Sequence, residues 1–258
     1  MEFEGELKEI EPNKIVRKTG GDKVGSFFLV VATIFNDLKG IILFEKLFLD
    51  SYRKPKPEET TAHSGNYSGV LVQVKKLKAS FIHEFFVFLK ENHNIVECAE
   101  FIEILERLPV GEKAIWCEIV SVALGRSEKL SDFSDTLSRI RDNIGFHYYQ
   151  SGKVLKKSFN SRFFGEERVN QKSRTAYYSV GNTLGETRFY FADAAVEEYL
   201  FLQAGKPVSK SSLENDLIKK YEIKVRDTIE VMNRILMLLL KNFLSKTRHN
   251  PCTDLQNF

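Results

Sequence analysis

Apolar residues between Ser26 and Tyr52 recur mostly at steps of three and four, through Phe28, Val31, Ile34, Phe35, Leu38, Ile42 and Leu49. That periodicity predicts a long, largely buried helix. Pro55 and Pro57, followed by Gly65 and Asn66, predict an exposed loop after it. A second long helix is expected over residues 68–92, with Val70, Val74, Leu77, Phe81, Phe85 and Phe88 on its inner face. Shorter helices follow over 96–108 and 112–124, closed by Pro109 and Gly125. Ser131 caps a further helix expected over 132–149, and a basic helix is expected over 154–164.

The pattern then changes. Residues 175–180 and 187–191 are rich in Thr, Tyr, Val and Phe and flank Gly181, Asn182 and Gly185, which reads as a β-hairpin. Helices over 192–203 and 212–247 complete the chain. The expected fold class is therefore mainly α, a helical bundle with a small β-hairpin in its C-terminal half. Its organisation is a flexible lead-in over 1–24 and a bundle over 25–150. A basic helix, hairpin and long C-terminal helix then pack on the bundle over 151–248, and a flexible tail covers 249–258.

Composition narrows the class. The 258 residues are 43% hydrophobic and 28% charged, as in an ordinary globular protein, and 21 Phe imply bulky packing with apolar surface left for a partner subunit. Three cysteines at wide spacing, Cys98, Cys117 and Cys252, form neither a disulfide framework nor a metal signature. No metal and no cofactor is expected, and a reducing, cytoplasmic setting is. Glu2 and Glu4 make the N-terminus unlike a signal peptide. Residues 27–35 and 41–44 are separate apolar stretches shorter than the roughly 20 residues of a span, so no membrane insertion is expected.

The net charge of +3 does not by itself argue for nucleic acid. Its distribution does more: Lys153, Lys156, Lys157, Arg162, Arg168, Lys172 and Arg174 face only Glu166 and Glu167 between Gly152 and Tyr178. Tyr148, Tyr149, Phe159, Phe163, Phe164, Tyr177 and Tyr178 interleave with them. Cations beside aromatic rings suit single-stranded RNA, with a solvated face and hairpin packing as the plainer alternatives.

The helix over 132–149 carries the candidate chemistry. Phe133, Leu137, Ile140, Ile144 and Tyr148 share one face, and Arg141 and His147 border it on opposite sides. A guanidinium that holds phosphate and an imidazole that moves a proton suffice for metal-independent phosphodiester cleavage, because RNA supplies its own 2′-hydroxyl nucleophile. The plainer reading pairs Arg141 with Asp142 or Asp132. Arg139 shares a helical row with Asn143 and His147, which leaves the identity of the essential arginine open. His83 and Glu84 could form a second catalytic pair, although a histidine among Phe81, Phe85 and Phe86 suits a hydrogen-bonded core position. Asn36 and Asp37 read as exposed.

Arg141, five intervening residues and His147 resemble the motif of the HEPN superfamily, with Asp142 and Asn143 as the polar residues after the arginine. The resemblance covers mainly residues 26–150. It implies a helical bundle, a homodimer whose groove gathers two Arg141/His147 sets, and an endoribonuclease of phage-defence or toxin–antitoxin type with an antitoxin-like protein partner. In that reading His147 is acid or base, Arg141 holds the scissile phosphate and Asn143 orients one of them. Lys153, Lys156, Lys157, Arg162, Tyr148 and Tyr149 would then bind RNA. Other members imply the alternative, a non-catalytic module that binds RNA, a nucleotide or a protein.

Overall fold

The computed structural model describes residues 9, 15, 23–127, 131–145, 148–164, 175–179, 187–204 and 212–245. Side chains of 131, 132, 148–152, 201–204 and 212–221 lie outside that description. Among the described residues the protein is helical: α1 Lys23–Ser51, α2 Ala62–Glu91, α3 His93–Val96, α4 Ala99–Leu105, α5 Val110–Ala123, α6 Ser131–Ile140, a π-turn Arg141–Gly145, α7 Tyr148–Phe164, α8 Tyr190–Ala204 and α9 Ser212–Ser245.

Local chemistry moves several boundaries from where periodicity places them. α2 begins at Ala62 because Thr61 and Ser64 cap each other: the Thr61 hydroxyl accepts from the Ser64 amide at 3.2 Å, and the Ser64 hydroxyl accepts from the Thr61 amide at 3.0 Å. Such a cap, at about 1 kcal/mol, offsets the helix cost of Gly65, which the sequence assigns to a loop. The segment expected as one helix over 96–108 is α3 and α4, separated by Glu97 and Cys98. Gly125, at φ +68°, follows α5 where only glycine sits without strain. α7 runs through Gly152, so the boundary expected at 150/151 falls inside a helix.

The expected β-hairpin is not shown among the described residues. They hold one antiparallel bridge, Ser179 to Arg188, and no strand, while 180–186 lie outside the description. Tyr190 and Phe191, expected in the second strand, open α8. Of the lead-in, Glu9, Ile15, Lys23 and Val24 are described, and Ile15 packs against the core. The tail over 249–258 lies outside.

Aromatic packing organises the core around α2. Phe27 of α1 stacks on Phe88 at 5.1 Å and meets Phe101 edge-on at 5.4 Å, and Trp116 of α5 lies 5.8 Å from Phe101. α9 closes the bundle with Met232, Ile235, Leu239 and Phe243 buried, Phe243 meeting Phe28 at 5.3 Å. Most of the described Phe side chains are thus in or against the core, with Phe44, Phe164 and Phe189 exposed.

α1 also joins the two apolar stretches into one helix, because Asn36, Asp37 and Lys39 sit on its exposed side and do not interrupt it. Its 18-residue window of mean hydropathy 1.9 is long and apolar enough to cross a membrane, and 22% of that window is buried. Phe27, Val31 and Leu38 pack into the core, but α1 is less buried than its periodicity predicts. Leu29, Val30, Phe44 and Leu47 are exposed on its outer side.

Candidate functional site

The stripe Phe133, Leu137, Ile140 and Ile144 is buried as its spacing requires, and it anchors α6 and the π-turn against α2. The segment after Ile140 does not continue as an α-helix. Over Arg141–Gly145 the turn widens to a π-turn, a geometry concentrated at functional sites. The close approach of this turn to α2 depends on Gly145, where a Cβ would lie 2.6 Å from the Ser80 hydroxyl. Ser80 is fully buried, and its hydroxyl has no hydrogen-bond partner among the described residues.

That approach brings two polar groups together. Arg141 donates through Nε to Glu84 at 3.0 Å and through Nη1 to Asp142 at 2.9 Å, with its side chain 29% exposed. The Asp142 hydrogen bond first, then the charge and hydrogen bond of Glu84, raise the pKa of Arg141 against the opposing effect of burial. Ser138 donates to the other Asp142 oxygen at 3.3 Å. His83, one residue before Glu84, is half-buried, and burial pushes its pKa below the usual histidine value. Glu84 and Asp142 oppose that shift and Arg141 adds to it. The plainer reading of Arg141, an ion pair with Asp142, is realised together with a partner 57 residues away.

Asn143 faces a different helix. Its amide group donates to the Arg139 carbonyl at 2.9 Å and to the Tyr199 hydroxyl at 3.0 Å, and Tyr199 donates to the same carbonyl at 3.1 Å. A carbonyl oxygen has two lone pairs and accommodates both donors. Burial raises the pKa of the Tyr199 phenol, which stays a donor here. Asn143 therefore ties the π-turn to α8.

His147 lies outside the described residues, as do the side chains of Tyr148 and Tyr149. Lys153, Lys156 and Lys157 are exposed on α7, whereas Arg162 is half-buried and turned away from them. Phe159 packs against Phe163 at 4.5 Å and Phe191 at 6.4 Å, while Phe164, Tyr177 and Tyr178 are exposed. Asn36 and Asp37 are exposed. A groove of about 640 Å³ between α1, α2, α8 and α9, lined by Leu71, Ile140 and Ile229, includes neither Arg141 nor Asn143.

Sequence reasoning weighed His83 and Glu84 as a pair but favoured the core for His83. The ion pair to Arg141 carries no local signal, since two residues 57 apart meet only through tertiary packing. Among the described residues no three His, Cys, Asp or Glu side chains converge as metal ligands. Chemically, the cluster offers a cation able to exchange its carboxylates for a phosphate, and beside it an imidazole and two carboxylates able to move a proton. No family model matches this chain, and no curated protein or solved structure does either.

Proposed function

We propose that the chain is a metal-independent endoribonuclease of the HEPN kind, in which Arg141 holds the scissile phosphate and His147 transfers the proton. The observation that carries this reading is the π-turn. It interrupts the helix at the motif and presents Arg141, partly exposed, between Glu84 and Asp142. An incoming phosphate displaces these carboxylates as Arg141 exchanges one anion for another, and a displaced carboxylate then stands within reach of the 2′-hydroxyl. Asn143, committed to Arg139 and Tyr199, is a positioning residue in this scheme. The exposed Lys153, Lys156 and Lys157 supply sequence-independent affinity, and the Ser179–Arg188 bridge supports a β-pairing that ends before Tyr190.

A homodimer belongs to the same proposal. Its support is the outer side of α1, where Leu29, Thr33, Asn36, Gly40, Leu43 and Leu47 follow alternating steps of four and three. Turned antiparallel on a second copy, that seam sets Leu29 against Leu47, Thr33 against Leu43 and Asn36 against Gly40, with Asp37 beside Lys39. No heavy atom lies within 4 Å of a Cβ added at Gly40, so a second helix has room there.

A second reading, a non-catalytic binding module, draws on the neutralisation of Arg141 by two carboxylates. Incubation of total RNA with the protein in chelator separates the two. Cleavage by wild type that is lost in His147→Ala and Arg141→Ala, at unchanged stability, supports the enzyme. RNA bound but left intact by all three supports the module and overturns the enzyme.

A further inference from the structure

Arg162, in the last turn of α7, points into a cleft of about 380 Å³ bounded by the 54–57 loop, the first turns of α2 and the start of α8. Its Nε is buried and has no hydrogen-bond partner among the described residues. Buried donors in folded proteins are as a rule matched by an acceptor.

The neighbouring carboxylates do not supply one. Glu59 is held by both Arg53 guanidinium nitrogens at 2.9 and 2.8 Å and also accepts from the Thr61 hydroxyl and the Lys56 amide. Arg53, first of these, lowers the Glu59 pKa to about 2. Asp193 is taken by Arg188 at 2.8 Å. That leaves Glu197 as the remaining carboxylate on the described lining, against Lys54, Lys56 and Arg162. The positive end of the α2 dipole adds to this excess, since Ser64 and Gly65 also line the cleft.

We propose that this cleft binds a phosphate group, with the Arg162 guanidinium as its fork and Lys54 and Lys56 as flanking charges. A planar guanidinium meets two phosphate oxygens at once, and the lysines act as point charges. The cleft is separate from the Arg141 cluster: Ser64 and Glu84 lie twenty residues apart on α2, about 30 Å of helix. The site stands whether or not the chain cleaves RNA.

Isothermal titration of the full chain with inorganic phosphate, ADP and adenosine tests the site. Phosphate and ADP should bind and adenosine should not. Arg162→Met should weaken ADP by about tenfold or more, Arg162→Lys should not restore it, and Lys54→Gln with Lys56→Gln should weaken it by about threefold to tenfold. Because the Arg162 Nε loses no hydrogen bond to a described residue, Arg162→Met should keep or raise the melting temperature, which separates a binding role from a structural one. Competition by a single-stranded oligoribonucleotide with a 5′-hydroxyl identifies the source of the phosphate. Displacement of ADP assigns it to an RNA backbone, and no displacement assigns it to a small phosphate ester. Absence of phosphate and ADP binding up to about 10 mM, equal binding by adenosine, or unchanged affinity in Arg162→Met overturns the proposal.

Discussion

Gly145→Ala should change the sign of its effect according to what stands at residue 80. Alanine at 145 places a Cβ 2.6 Å from the Ser80 hydroxyl, well inside contact distance, in a buried position. Overpacking of this kind costs about 1–3 kcal/mol, while alanine gains up to about 1 kcal/mol over glycine in a helix, so the single variant should lose about 0–2 kcal/mol. Ser80→Ala removes a buried hydroxyl that has no partner among the described residues and should be neutral or stabilise by up to about 1 kcal/mol. The double variant exchanges one atom for another across the contact and keeps the helix gain, so it should exceed wild type by about 1 kcal/mol. The resulting coupling of about 2 kcal/mol lies within the range for touching residues. Urea unfolding of all four proteins measures it, provided the slope m stays constant. A stabilised Gly145→Ala single variant would refute the close approach of the π-turn to α2, and a loss above about 1 kcal/mol in Ser80→Ala would mean that its hydroxyl has a partner.

Three other perturbations probe the site and the surface. The folded His83 pKa lies below its ordinary 6.5, so between those two values the unfolded chain holds more protons and stability falls as pH drops through that window; urea midpoints from pH 7.5 to 5 should show a shallower decline in His83→Gln, and an equal decline would refute the role of burial. Glu84→Gln removes one of the two carboxylates facing Arg141 and should tighten single-stranded RNA binding by about threefold in filter binding or anisotropy, whereas weaker binding would show that Arg141 does not meet the RNA. Leu29→Glu with Leu47→Glu should convert a dimer to a monomer in light scattering at unchanged helicity; a wild-type monomer at micromolar concentration, or a dimer that survives both changes, would refute the α1 seam.

Much of the fold is local in origin and therefore legible along the chain. The faces of α6 and α9 follow apolar spacing, and those of α1 and α2 do so apart from Leu49 and Leu77, which are exposed, because a helix repeats every 3.6 residues whatever it packs against. Pro55, Pro57 and Gly125 mark breaks for equally local reasons, the loss of a backbone donor and access to positive φ. Spacing misjudged positions where local rules compete with distant contacts. Gly65 looks like a loop residue, yet it is helical behind the Thr61 cap, and the Tyr190 ring and the Arg188 guanidinium lie where Cβ atoms at Gly65 and Gly69 would be. The second strand expected at 187–191 gives way at Tyr190 to a helix whose first hydroxyl donates to the Ala62 carbonyl at 3.1 Å, a partner 128 residues distant.

The candidate site divides along the same line. Its sequence determined that a cation, two small polar residues and a buried apolar stripe share one helix, since those relations depend only on spacing. Tertiary packing alone decided that Arg141 meets Glu84, that Asn143 meets Tyr199, and that Arg162 lines a cleft with Lys54 and Lys56. Each of these is a contact between elements whose approach is set by side-chain volume, above all the missing side chain of Gly145 against Ser80, and volume complementarity between distant segments has no period along the chain.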